Sequence, residues 1–135
     1  MNAAVPAILI IDDEEDFAQT LASRLELRGM SVRFVTSGES GLALLREHTP
    51  DLLLLDMRMP GLSGVDVLRE VRSGGQIPDG KTLPVFIVSG HAFEKDFQTA
   101  EELGVQGCFS KPLQFQELYD RMVEVLRGRG RFATG

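Results

Sequence analysis

Short uninterrupted apolar runs alternate along the chain with segments of helical spacing. Ala7–Ile11, Leu52–Leu55 and Val85–Val88 contain no polar residue. Such runs are typical of strands that are covered on both faces, as in a parallel sheet. Ser31–Val35 and Gly107–Phe109 are weaker candidates of the same kind. The pattern therefore predicts five strands.

Between the predicted strands, apolar residues recur at the three- and four-residue spacing of a helix face. We expect the following side chains to face the core: Phe17, Leu21 and Leu25; Leu42 and Leu45; Val65, Leu68 and Val71; Phe93, Phe97 and Ala100; and Phe115, Leu118, Met122 and Leu126. Gly29 and Gly104 mark helix ends, and Ser37 with Gly38 marks a helix start. Five strands, each followed by a helix, predict an α/β fold with a doubly wound parallel sheet and helices on both faces.

Two segments interrupt this pattern. Ser73–Lys81 contains three glycines and a proline, so we expect an extended loop that departs from tight packing. Gly128–Gly135 shows no apolar periodicity and is expected to be a flexible tail. We therefore predict a single domain over residues 1–127 and a tail over residues 128–135.

Charge and cysteine content narrow the class of protein. The 135 residues carry 20 acidic and 14 basic side chains, a net charge of −6, which disfavours a nucleic-acid partner. The lone Cys108 cannot form an internal disulfide, and we expect it to be a small buried hydrophobe in a protein of the reducing cytosol. The apolar runs are too short for a signal peptide or a membrane span. We therefore expect a cytoplasmic protein without a membrane partner.

Polar residues follow four of the five apolar runs. Asp12 and Asp13 follow the first, Asp56 the third, Ser89 the fourth, and Lys111 comes shortly after the fifth. Each has a local explanation when taken alone: the aspartates and Ser89 could form helix caps or turns, and Lys111 could be solvated. Ligands of an open α/β sheet bind at the carboxyl ends of the strands. The five residues together therefore indicate a binding site.

The chemistry of such a site follows from its charges. If the first and third strands are neighbours, Asp12, Asp13 and Asp56 converge and repel one another, so the group must hold a proton or a cation. Oxygen ligands favour a hard ion, and a few carboxylates with open positions suit Mg²⁺. Lys111 adds a positive charge at the same edge. A tetrahedral anion such as a phosphoryl group would bridge the metal and the lysine.

Four short motifs carry a resemblance to a known family. They are Asp12–Asp13, Asp56–Gly61, Ser89–His91 and Lys111–Pro112, in this order and spacing. Over about residues 7–127, the sequence resembles the receiver domain of bacterial two-component response regulators. The resemblance implies the strand order 2-1-3-4-5, which places the first and third strands side by side.

The resemblance also implies roles for individual residues. Asp56 would accept a phosphoryl group from a sensor histidine kinase or a phosphotransfer protein. Mg²⁺ would be bound directly by Asp13, Asp56 and the backbone carbonyl of Arg58, and by Asp12 through water. Lys111 would help to neutralise the phosphoryl oxygens. The family is not enzymatic beyond phosphotransfer to itself and autodephosphorylation.

The resemblance extends to the switch. The Ser89 hydroxyl would move to bind the new phosphoryl group, and the peptide before Pro112 is commonly cis. A downstream protein would bind the 92–127 surface, which comprises the helices expected over 92–103 and 114–127 and the last strand. Many receivers carry a tyrosine or phenylalanine at the position of Cys108. Phe109 should point to the opposite face of the strand, so an aromatic relay is not expected.

Two other functions fit parts of the pattern. A Mg²⁺-dependent phosphohydrolase could use Asp56 as its nucleophile, but such enzymes generally carry a second carboxylate close after it, where this chain has Arg58. A phosphorylation-independent interaction module could share the fold. Such a module has no physical need to hold three repelling carboxylates together.

Overall fold

The computed structural model describes residues 5–90 and 94–132, and in this part of the chain five strands alternate with five helices. The elements are β1 (Ala7–Ile11), α1 (Glu15–Glu26), β2 (Ser31–Val35), α2 (Gly38–Glu47), β3 (Leu52–Leu55), α3 (Gly64–Arg72), β4 (Val85–Ser89), α4 (Glu94–Glu102), β5 (Gly107–Ser110) and α5 (Phe115–Gly128). All five predicted strands are confirmed. The last two each extend one residue further than predicted, to Ser89 and Ser110.

The strands form one parallel sheet in the order β2-β1-β3-β4-β5. This confirms the predicted doubly wound sheet and its strand order. In the pairing of β1 with β3, Ile11 lies opposite Leu55. The residues that follow this pair, Asp12 and Asp56, therefore leave the sheet at the same level.

Two hydrophobic layers cover the two faces of the sheet. Alternate residues of the central strands point to opposite faces, so Ile8 and Ile10 contact the layer that contains α1 and α5, and Leu9 and Ile11 contact the other. All four side chains are buried. Burial on both faces explains why the central strands appear in the sequence as uninterrupted apolar runs.

Capping residues fix several helix boundaries. Ser37 accepts a hydrogen bond from the Ser40 N–H at the start of α2. Ser63 and Asp66 form a reciprocal capping box at the start of α3. Gly29 and Gly104 follow α1 and α4 with φ values of +90° and +78°, as expected for helix ends.

The predicted start of the fourth helix, at residue 92, cannot be compared with the structure. His91 and Phe93, for which we expected roles in a turn and in a core-facing stripe, also lie outside the described residues. The described part of α4 runs from Glu94 to Glu102.

The segment 73–81 forms a loop that is anchored to the core at two residues. Ile77 is buried in the core layer beneath α3. The guanidinium of Arg72 donates hydrogen bonds to the carbonyls of Gly80, Leu83, Leu103 and Gly104 at 2.7 to 3.0 Å. This side chain joins the loop to the end of α4. The expected loop is present, and within residues 73–81 only Ile77 and Gly80 are buried.

The expectation that Cys108 is buried was also wrong, because the side chain is exposed. β5 is an edge strand whose residues alternate between partly buried and exposed. Cys108 lies on the more open face of this edge. Among the predicted core-facing residues, Phe17, Val65 and Phe97 are only partly buried.

After α5, the described residues contact the body of the domain. Arg131 forms an ion pair with Asp51 at 3.4 Å, and Arg129 donates to the Thr82 carbonyl at 3.2 Å. Phe132 packs against the core layer of α1 and α5. Residues 133–135 of the expected flexible tail lie outside the described part of the chain.

None of the helices in residues 5–90 and 94–132 has the length and apolar character needed to span a membrane.

Candidate functional site

Three carboxylates meet at the carboxyl end of β1 and β3. Each of Asp12, Asp13 and Asp56 offers an oxygen that lies within 4.8 Å of the others. Asp12 and Asp56 are buried, whereas Asp13 is exposed. The convergence predicted from the sequence is present, and the buried members are the two that directly follow the paired strands.

Backbone hydrogen bonds hold these carboxylates in place. The Asp12 N–H donates to the Val35 carbonyl at 3.1 Å, and the Asp56 N–H donates to the Ile11 carbonyl at 2.9 Å. Both bonds extend the ladder of the sheet by one step. The positions of the carboxylates are therefore set by rigid strands.

Gly64 allows α3 to approach the segment that follows Asp56. A Cβ atom at Gly64 would overlap the carbonyl oxygen of Asp56 and would lie 2.7 Å from the Cα of Met57. The Gly64 N–H donates to the Met57 carbonyl at 2.9 Å. Any larger residue would displace the backbone that carries Asp56. The role of this glycine was not predicted from the sequence.

Ser89 contacts Asp56 directly. Its hydroxyl donates a hydrogen bond to Asp56 Oδ1 at 2.8 Å, and both side chains are buried. Burial raises the pKa of Asp56 from 3.8 to about 6; the Ser89 hydrogen bond opposes this shift and the negative charge of Asp12 adds to it. The pKa of Asp12 is also raised, chiefly by burial. The charged forms of both buried acids are therefore destabilised, and we refer to this as electrostatic strain.

Lys111 brings a positive charge to the same place. Its Nζ lies 2.8 Å from Asp12 Oδ2 and 4.0 Å from Asp56 Oδ2. It also lies 4.2 Å from the centre of the Phe17 ring. Burial alone would lower the pKa of Lys111, but hydrogen bonds to Asp12 and Glu14 outweigh that effect and raise the pKa. The peptide bond between Lys111 and Pro112 is cis.

Glu14 is a member of the site that the sequence analysis missed. Its Oε1 accepts a hydrogen bond from Lys111 Nζ at 2.7 Å. The N–H of Glu14 donates to Asp12 Oδ1 at 2.9 Å. Its place directly after the acidic pair was the available signal, but an acidic residue before a helix is more often part of a solvated helix end.

Arg58 joins the loop after β3 to α4. Its guanidinium forms an ion pair with Asp96 Oδ2 at 2.7 Å, and the Asp96 carboxylate is largely buried. The Arg58 N–H makes a long hydrogen bond of 3.5 Å to Asp56 Oδ1. From the sequence, the carbonyl of Arg58 was expected to bind Mg²⁺, and the ion pair of its side chain was not predicted.

Phe109 and Cys108 point to opposite faces of β5. The Phe109 ring packs edge-on against Phe86, 5.8 Å between centroids, in the layer of α1 and α5. Cys108 is paired with Ile87, which belongs to the layer on the other face of the sheet, with α2, α3 and α4. The predicted alternation is present, so the ring of Phe109 does not lie on the face of α4.

The arrangement can hold a hard cation and an anion together. Three carboxylate oxygens within 4.8 Å of one another match the ligand chemistry of a divalent cation such as Mg²⁺. Lys111 lies beside them. A phosphoryl group placed on Asp56 would be near both positive charges.

Comparisons with known proteins agree with this geometry. The family model of the response regulator receiver domain matches residues 8–123. The transcriptional regulatory protein AfsQ1 of Streptomyces coelicolor is 34% identical over 130 residues, which cover 96% of this chain and 55% of that protein. The sensory transduction protein RegX3 of Mycobacterium tuberculosis is 35% identical over 124 residues, covering 92% of this chain and 52% of that protein.

A solved structure shows the same architecture over most of this chain. The response regulator receiver protein from Pseudomonas putida has a TM-score of 0.81 and 26% identity, and the match covers 90% of this chain and 98% of that chain. In contrast, this chain spans about half the length of AfsQ1 and RegX3.

The raised pKa of Asp56 predicts a pH-dependent loss of stability. Between about pH 4 and 6 the folded protein binds more protons than the unfolded chain, because the pKa of Asp56 rises from 3.8 to about 6 on folding. The free energy of unfolding should therefore fall as the pH rises through this window. Without Mg²⁺ at pH 7, Asp56→Asn should be more stable than the wild type by on the order of 1–2 kcal/mol.

Urea unfolding of both proteins between pH 4 and 7 tests this expectation. The difference should shrink towards pH 4. Asp16→Asn, which removes a carboxylate from the exposed first turn of α1, is the matched control and should gain no stability at pH 7. An Asp56→Asn protein that is less stable than the wild type at pH 7 would contradict the assignment of strain to this carboxylate.

Proposed function

This chain belongs to the response regulator receiver domain family of two-component systems, and we propose that it takes a phosphoryl group onto Asp56 and switches a protein-binding surface in response. The donor would be a sensor histidine kinase or a phosphotransfer protein. The observation that carries the proposal is the position of Asp56: its buried carboxylate lies within a group of three acids and 4.0 Å from the ammonium of Lys111.

The Asp56 carboxylate is the nucleophile in this proposal. One of its oxygens attacks the phosphorus of a phosphohistidine on the partner. A new O–P bond forms while the P–N bond breaks, and the imidazole nitrogen keeps the electron pair of the broken bond. Oδ1 already accepts a hydrogen bond from the Ser89 hydroxyl, whereas Oδ2 is the oxygen that faces Lys111. This favours Oδ2 as the attacking atom.

Mg²⁺ is the proposed cofactor. Asp13, Asp56 and the backbone carbonyl of Arg58 would hold it directly, and Asp12 would do so through water. When bound, Mg²⁺ supplies positive charge that offsets the carboxylates and polarises the phosphoryl oxygens. The observed set of oxygen donors fits a hard divalent ion.

Lys111 and Ser89 would detect the new group. A phosphoryl group brings roughly two negative charges, and Lys111 is the nearest described ammonium, with only 10% of its side chain exposed. Ser89 already donates to Asp56 and could instead donate to a phosphoryl oxygen. These altered contacts are what would distinguish the phosphorylated state from the free one.

The route from Ser89 to the surface would run through Gly90 into α4. Phe109 packs on the other face of the sheet, against Phe86, and cannot fill space that Ser89 vacates. The downstream partner would be a protein that binds the 92–127 surface, of which residues 92 and 93 lie outside the described part. Nucleic acid and membrane are not proposed as partners, and the proposed location is the cytoplasm.

The phosphohydrolase alternative gains no support from the site. Arg58 stands two residues after Asp56, where the alternative would require a general acid, and its guanidinium is paired with Asp96 on α4. Guanidinium groups stay protonated in proteins and do not act as proton donors. Slow loss of the phosphoryl group to water is therefore the only hydrolysis in this proposal.

Labelling with acetyl phosphate tests the phosphoacceptor. In the presence of Mg²⁺ the wild type should incorporate one acid-labile, base-labile phosphoryl group, visible as a mass increase of the intact protein. Asp56→Asn should lose the label, because an amide is a poor nucleophile. Asp16→Asn is the matched control and should be labelled like the wild type. Undiminished labelling of Asp56→Asn would place the acceptor elsewhere.

Amide-resolved NMR tests the route to the surface. On phosphorylation, Ser89, Gly90 and the residues of α4 should shift more than Cys108 and Phe109, because the Phe109 ring packs away from the α4 face. Phe109→Leu should leave this pattern and the affinity for the partner largely intact. Dominant shifts at Phe109 with little change in α4 would contradict the proposed route.

A further inference from the structure

The ammonium of Lys111 is closer to other acids than to the proposed phosphoacceptor. Its Nζ lies 2.7 Å from Glu14 Oε1 and 2.8 Å from Asp12 Oδ2, but 4.0 Å from Asp56 Oδ2. A hydrogen bond between an ammonium and a carboxylate is about 2.7–2.9 Å long. Lys111 therefore makes short ionic hydrogen bonds to Glu14 and Asp12, and none of that length to Asp56.

From this geometry we propose that Glu14 is a positioning residue that holds Lys111 away from Asp56 and so limits the rate of Asp56 phosphorylation. This inference rests on the proposed function of Asp56. Its subject is the regulation of the same site, through a residue that acts on Lys111.

The backbone of Glu14 is fixed, which gives its side chain a defined place. Its N–H donates to Asp12 Oδ1 at 2.9 Å, and its carbonyl accepts from the Ala18 N–H at 3.0 Å in the first turn of α1. Glu14 thus contacts one oxygen of Asp12 through its backbone N–H and contacts Lys111 through its side chain. Lys111 completes the arrangement by donating to the other Asp12 oxygen.

The two anions that hold Lys111 differ in exposure. The Asp12 side chain is only 2% exposed, whereas the Glu14 side chain is 54% exposed. An exposed ion pair contributes little to stability, and its carboxylate is readily rehydrated when the pair breaks. Glu14 is therefore the contact that Lys111 can release at low cost when a phosphoryl group arrives.

Glu14 also opposes the approach of the donor. It lines the same open cavity, about 480 Å³, as Lys111 and Gly90. Asp56 does not line this cavity, so Glu14 acts on an anionic phosphodonor through its negative charge at a distance and through its hold on Lys111. Both effects slow phosphorylation, and both would be removed by a neutral side chain at this position.

The test compares initial rates of Asp56 phosphorylation by acetyl phosphate at saturating Mg²⁺. In this reaction the Asp56 oxygen forms a bond to phosphorus, the P–O bond to the acetyl group breaks, and acetate leaves with the electron pair. Glu14→Gln should be phosphorylated about three- to tenfold faster than the wild type. Glu15→Gln removes the same charge from the neighbouring exposed residue and should change the rate less than twofold.

A third variant separates the ion pair from the charge. Glu14→Asp keeps the negative charge but shortens the side chain by one methylene, which draws the carboxylate away from Lys111. If the ion pair limits the rate, Glu14→Asp should share most of the increase of Glu14→Gln. A rate equal to that of the wild type would overturn the proposal, since charge alone would then explain the effect.

An equilibrium measurement gives an independent readout. Beryllofluoride with saturating Mg²⁺ is a non-transferable mimic of the phosphoryl group, and its affinity can be followed through the amide shift of Ser89. Glu14→Gln should bind it about three- to tenfold more tightly. Unchanged or weaker binding, or a slower rate of phosphorylation, would mean that Glu14 does not restrain Lys111 and would overturn the proposal.

The outcomes distinguish this inference from the proposed function. If the wild type is not labelled, or if Asp56→Asn is labelled equally well, the phosphoacceptor assignment fails. If the wild type is labelled on Asp56 and the Glu14 variants behave like Glu15→Gln, the role of Glu14 alone fails.

Discussion

Repulsion between carboxylates at the end of β1 and β3 is the interaction on which the rest of the structure depends. Two like charges about 4 Å apart repel by roughly 4 kcal/mol at an effective dielectric near 20. Asp12 and Asp56 are both buried, and burial is the main reason that the pKa of each is raised; the charge of Asp12 raises the pKa of Asp56 further. The fold tolerates this cost because the central strands are buried on both faces, and because Lys111 and Ser89 partly compensate the charges. Such a site favours the arrival of a cation.

The surrounding elements keep the carboxylates from relaxing apart. Strand register sets the level of Asp12 and Asp56, and Gly64 lets α3 close over the backbone behind Asp56. The ion pair between Arg58 and Asp96 joins the loop after β3 to α4. The charge state of Asp56 is thus linked to Ser89 by a hydrogen bond of 2.8 Å and to Lys111 by an ion pair at 4.0 Å, and the loop that follows it is linked to α4. Under the proposed function, a new phosphoryl group on Asp56 would change the contacts of Lys111, of Ser89 and of this loop.

Much of the fold could be predicted from the sequence because burial on both faces leaves a simple signal. The runs of β1, β3 and β4 are apolar at nearly every position, and the polar residues that end them identified the edge where the acids meet. The burial of Cys108 was predicted wrongly because β5 is an edge strand. At an edge, a small apolar residue can be exposed, and the residue type alone does not show it. The ion pairs of Glu14 and Arg58 depend on side-chain directions across separate elements, which periodicity does not encode. The role of Gly64 was missed because it depends on how closely α3 packs against the backbone of Asp56, and the sequence pattern does not reveal that distance.

The most direct test of this account is the stability of the protein as a function of Mg²⁺ concentration. If the acids form a strained cation site, Mg²⁺ should raise the free energy of unfolding of the wild type, by about 1.4 kcal/mol when its concentration is ten times Kd. Asp13→Asn removes one of the three converging carboxylates and should lose most of this gain, while Asp16→Asn should keep it. Equal stabilisation of all three proteins, or none in the wild type, would contradict the account.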